Sequence, residues 1–139
     1  MLLRILPLLF LTLTCFGGEK DDPIAVWNRH KVGLYKAAKA YVSEFSDKKT
    51  LKKFQDNLAE RLETRSLETV ALDWFFDNQQ DLEDRIPSKI VTACFYFMVF
   101  VETKTPPPLK MRENITDENL RQLRDYLEGC VSSVKDGKT

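Results

Sequence analysis

Three cysteines, one histidine and a spaced run of aspartates are the residues of this 139-residue chain that could carry chemistry. Cys94 and Cys130 lie in apolar stretches far apart in sequence. In an oxidising compartment two such cysteines pair most simply as a disulfide. Closing a loop of that length is worth about 4 kcal/mol. A thiol nucleophile needs a base beside it, and the only histidine, His30, sits between Arg29 and Lys31 in sequence. The same scarcity argues against zinc, which draws on clusters of Cys and His. No P-loop, EF-hand loop, GxSxG or HExxH pattern occurs, so neither a cofactor nor a metal is expected.

Asp73, Asp77 and Asp81 recur every four residues, with Asp84 close to the same line. On a helix this makes a carboxylate ridge whose members repel by roughly a few tenths of a kcal/mol per pair. The ridge could receive a cation or a basic partner. The simpler expectation is a solvated flank paired with Lys or Arg from a neighbouring element. Asn114-Ile115-Thr116 matches the glycosylation sequon, although Thr116 has a second use as a helix cap.

The elements that must position these residues read as helices. The chain holds 21 basic and 21 acidic residues, without a basic stripe, which argues against nucleic acid as a partner. At 43% hydrophobic and 30% charged it is ordinary globular material rather than a disordered chain. Its five glycines are few for a strand-and-turn architecture. Asp22-Pro23 opens a first helix of about six turns, with Ile24, Trp27, Leu34, Tyr35, Ala38, Tyr41, Val42 and Phe45 on one face. Ser46-Asp47 caps a second, striped by Leu51, Phe54, Leu58 and Leu62. A third stripe follows at Leu67, Val70, Ala71, Trp74, Phe75 and Leu82. The two stripes differ by roughly half a turn at 100° per residue, which predicts a break at residues 64–66 with Ser66 as N-cap.

Pro87-Ser88 restarts the chain, and residues 90–101 are apolar almost throughout. With no partner strand in view, this run reads as a buried central helix. It is too short to cross a bilayer. Pro106, Pro107 and Pro108 make an extended linker. Thr116 then caps a last helix with its stripe at Leu120, Leu123, Leu127, Cys130, Val131 and Val134. The expected fold is an all-α single-domain bundle of about five helices around the central apolar one, spanning residues 18–139.

Residues 1–17 have a different character. Arg4 precedes an apolar run that ends in small residues and is followed by Glu19-Lys20-Asp21-Asp22. That is the layout of a secretory signal peptide, with cleavage after Gly17. Thr12-Leu13-Thr14-Cys15 also loosely matches a lipobox, in which Cys15 is acylated as the first mature residue, though Thr12 and Thr14 depart from the usual pattern. The expected location is therefore secreted or periplasmic. Three functions fit. One is a non-enzymatic protein-binding role, inhibitor-like or immunity-like. Another is carriage of a lipid or other apolar ligand, in a cavity lined by Trp74, Phe95, Phe97 or Phe100. The last is an enzyme built on carboxylates alone.

Overall fold

The computed structural model describes residues 22–137; the leader, Cys15 and the expected cleavage point lie outside these described residues. Helix α1 (Pro23–Phe45) starts where Asp22 accepts a hydrogen bond from the Ala25 N–H and Pro23 takes the first helical position. Helix α2 (Lys48–Arg61) starts where Asp47 accepts from the Thr50 N–H at 2.8 Å. That bond and the cation of Lys49 hold the Asp47 carboxyl below its ordinary range.

Helix α2 stops at Arg61, and the chain turns before Ser66 Oγ accepts from the Thr69 N–H at 3.2 Å to begin α3 (Leu67–Asp77). The half-turn shift between the two apolar stripes is thus taken up by a break. The third stripe does not continue unbroken to Leu82. Asn78 Nδ2 donates to the Trp74 carbonyl at 2.8 Å, and α4 (Gln79–Glu83) follows as a separate short helix.

Arg85 turns the chain at φ 58°, ahead of α5 (Pro87–Thr103), which ends at Lys104 with φ 59°. After the prolines the chain coils into a 3₁₀ helix (Leu109–Asn114), where the Arg112 Nε–H donates to the Pro107 carbonyl at 3.0 Å. Thr116 Oγ1 accepts from the Asn119 N–H at 3.1 Å and caps α6 (Asp117–Lys135).

The fold is all-α. The described residues contain no strand, and six α-helices and one 3₁₀ helix replace the expected five helices. None of these helices is long and apolar enough to cross a membrane.

Helix α1 is the hub: it lies along both α5 and α6, and those two make few backbone approaches to each other. Its buried face holds Val26, Trp27, Leu34, Ala37, Ala38 and Tyr41. Helix α5 is the central apolar element. It buries Ile90, Val91, Ala93, Cys94, Phe95, Tyr96, Phe97 and Phe100. Helix α6 buries Leu120, Leu123, Leu127 and Val131 of the stripe expected of it, while Cys130 and Val134 are half-buried. Helix α2 buries only Leu58 fully.

Candidate functional site

The side of the molecule formed by α2, α3 and α5 carries an open groove of about 280 Å³. Its walls are Lys53, Asn57 and Arg61 of α2, and its floor is Phe54, Leu58, Trp74, Thr92 and Tyr96. The floor is a ring cluster. Phe54 stacks on Phe95 at 4.9 Å between centroids and meets Tyr96 edge-on at 5.1 Å, and Trp74 lies 5.6 Å from Tyr96. Such spacings are those of favourable aromatic pairs. Phe95 is buried, whereas Phe54 and Trp74 keep part of their surface exposed. The Thr92 hydroxyl donates to the Ser88 carbonyl.

Two cations edge this floor. Among the described residues neither Lys53 nor Arg61 belongs to an ion pair. Burial raises the Tyr96 hydroxyl above its ordinary range, and the nearby Arg61 guanidinium partly offsets that rise. Asn57 and Arg61 also line a second depression of about 340 Å³ with Glu60, Thr64 and Arg65. The groove therefore continues along α2 to the α2–α3 turn.

The cysteine pair departs from expectation. Cys94 and Cys130 are free thiols, not at disulfide distance. The physical reason is the hub arrangement. Helices α5 and α6 both turn toward α1 rather than lying along each other, and a disulfide needs Cα atoms within about 7 Å. The two sulfurs share a neighbourhood with the Tyr41 and Tyr126 phenols. Cys94 is buried, and burial first, then the neighbouring Cys130, pushes its thiol well above the ordinary range. It is a small hydrophobe in the core.

Asp73 faces Arg65 at 3.8 Å, Asp81 faces Lys89 at 3.9 Å, and Asp84 accepts from Gln80. Asp73, Asp77 and Asp84 are exposed, and Asp81 is half-buried. Asn114 is half-buried at the end of the 3₁₀ helix, and its carbonyl accepts from Asn119 Nδ2. Of the four aromatic residues proposed to line a cavity, Trp74 faces the groove. Phe95 and Phe97 pack on Phe54 and Phe75, and Phe100 lies at a smaller surface pocket beside Trp27 and Lys104.

Sequence reasoning passed over two arrangements. Lys53 and Arg61, eight residues apart on α2, share one face of that helix, and this spacing was legible. Their relation to Trp74 and Tyr96 was not, because three helices meet there. The second arrangement centres on His30. With Nε2–H as donor it approaches Asp117 Oδ1 at 2.6 Å, and Arg29 Nη2 donates to the same carboxylate at 3.0 Å. The two hydrogen bonds hold Asp117 below its ordinary range, His30 contributing more than Arg29. They tie α1 to the start of α6, where a carboxylate also meets the positive end of the helix dipole.

Among the described residues no group of three or more His, Cys, Asp or Glu is placed to hold a metal ion. No family model matches the chain, and neither a curated protein nor a solved structure shows significant similarity to it.

Proposed function

We propose that the chain is an exported, non-enzymatic interaction protein that engages another protein through the aromatic groove on its α2–α3 side. One observation carries this reading. Two cations that have no carboxylate partner among the described residues stand beside a ring cluster that is only partly covered. Arginine and large aromatics are the side chains that dominate protein–protein contact energies. The groove gathers cations and rings rather than two converging carboxylates, which favours binding over carboxylate catalysis. Its volume of about 280 Å³ sits at the small end of ligand pockets, near 300–1,000 Å³, and suits one anchoring side chain.

Export rests on the leader, and the intact mass of the protein recovered outside the cytoplasm tests it. A chain beginning within about three residues of Gly18 supports a soluble exported protein. A chain beginning at lipid-bearing Cys15 supports an anchored one. Recovery of the chain only from the cytoplasm, with Met1 retained, removes the export reading. The interaction is tested by a photo-crosslinking side chain placed at Asn57 in the groove or at exposed Lys39 on α1, in the native host. A discrete adduct from position 57 that is absent from position 39 is the expected result. Adducts of equal yield at both positions, or none at 57, refute docking on this face.

A further inference from the structure

We infer that the groove takes an acidic peptide segment of its partner, one in which an aromatic side chain is flanked by carboxylates. The inference rests on the interaction reading and adds the chemistry of the occupant.

Each wall dictates a part of that chemistry. The floor of Phe54, Trp74 and Tyr96 presents ring faces and edges, which are best covered by another ring. Lys53 and Arg61 stand eight residues apart on one face of α2, about 12 Å at the helical rise per residue. An extended peptide advances about 3.3 Å per residue. A ring seated between the two cations therefore leaves a carboxylate one or two residues away on either side within reach of one of them. Arg61 offers a planar fork that a carboxylate can meet with two parallel hydrogen bonds. The Asn57 amide lies between the cations and can donate to and accept from a peptide backbone.

Helix α2 as a whole supports the sign of the occupant. It carries Lys48, Lys49, Lys52, Lys53 and Arg61 against Asp56 and Glu60, and of its lysines Lys52 is answered by Asp56 at 3.2 Å. The continuation toward Thr64 and Arg65 favours a running segment over a compact small molecule, which would leave the second depression uncovered.

The test is selection of a random dodecapeptide display library against the protein of residues 18–139. The selected peptides are then titrated by fluorescence anisotropy. Expected is a consensus of Phe, Tyr or Trp within two residues of Asp or Glu. Binding should weaken by roughly tenfold or more in K53E/R61E, while K48E/K49E, off the groove, stays within about threefold. It should also weaken as salt is raised. Far-ultraviolet circular dichroism confirms that each variant folds, as their exposed positions lead us to expect.

A consensus lacking acids that is still lost on filling the groove with T92W overturns the inference and leaves docking on this face standing. Binding indifferent to both T92W and K53E/R61E overturns both. Failure to enrich any sequence overturns the inference, and the position-57 crosslink then decides the interaction reading alone. The chain itself contains Asp73-Trp74-Phe75-Phe76-Asp77, with Phe76 half-exposed. A dimer in sedimentation that K53E/R61E converts to monomer would name a second copy as the occupant and overturn a foreign segment.

Discussion

Helix α1 meets α5 and α6 backbone to backbone, whereas α2 and α3 meet α5 through rings. In the first contact the buried residues include Ala37 and Ala38 of α1 and Ala93 of α5. The Arg124 side chain of α6 lies against Gly33 of α1, 3.7 Å from where a Cβ would stand, which is ordinary contact distance. Small residues let helix axes approach closely, so the space between them is filled twice over by neighbouring side chains. In the second contact Phe54, Trp74, Phe75, Tyr96 and Phe97 act as spacers. Phe75, Tyr96 and Phe97 are buried between the helices, while Phe54 and Trp74 keep part of their surface exposed and line the groove. One half of the molecule is joined by close approach of helices, and the other is given a surface by the rings between them.

The largest effect that could break this contrast is truncation of a ring buried between the halves. Phe97→Ala should cost about 3–5 kcal/mol in chemical denaturation, because Phe97 is nearly fully buried and packs on Phe75 of α3. A loss below about 1 kcal/mol would show that the ring-spaced side is loose enough to close over the gap.

A paired enlargement sharpens the comparison. Ala38→Leu adds bulk at a fully buried position in the close-packed half, and should cost about 1–3 kcal/mol. Thr92→Phe adds comparable bulk on the groove side and should stay within about 0.5 kcal/mol. Equal costs would mean the two halves are packed alike. Native-state hydrogen exchange reads the same difference without mutation. Amides of α2 and α3 should open at lower free energy than those of α1 and α6.

Next in size is the cap that separates α2 from α3. Ser66→Ala removes the acceptor for the Thr69 N–H and should cost roughly 0.5–2 kcal/mol. The loss should fall on the exchange of α3 amides first.

The smallest effect belongs to the tie between α1 and α6. Asp117 is held below its ordinary value in the folded chain. The unfolded chain therefore takes up a proton first as pH falls. The stabilisation is complete above the unfolded value, near 3.8, and is lost as pH drops through the lower folded value. The carboxylate is 46% exposed, so Asp117→Asn should cost less than about 1 kcal/mol at neutral pH, and nothing in strong acid. A difference that persists unchanged at low pH would show that the link acts through packing rather than charge.

The close-packed half was the more legible in sequence, and the reason is physical. Its stripes, such as Leu120, Leu123, Leu127 and Val131, repeat with the helical period, and the period alone names the buried face. The caps Asp22, Asp47, Ser66 and Thr116 act within three residues of themselves, so they too could be read locally. The break at Asn78 was not legible, because it depends on one side chain bending back to the Trp74 carbonyl. The groove was beyond reach for a different reason. Lys53, Trp74 and Tyr96 belong to three helices, and no periodicity relates residues across helices. The cysteines show the converse: Cys94 and Cys130 come into one neighbourhood without reaching disulfide distance, a spacing that neither stripe reports.

The hub position of α1 also governs when the chain can become a folded object. The partner that covers one side of the first helix is the last helix, and Asp117 lies 87 residues from His30. Contacts so distant along the chain form late and slowly, since a long loop must close before they give any return. A ribosome-bound chain that has not yet released α6 leaves the side of α1 that α6 covers open to solvent. The packing of α1 is complete only after that last helix has emerged. A version stopped at Lys110 should accordingly remain open to protease where the full-length protein is resistant.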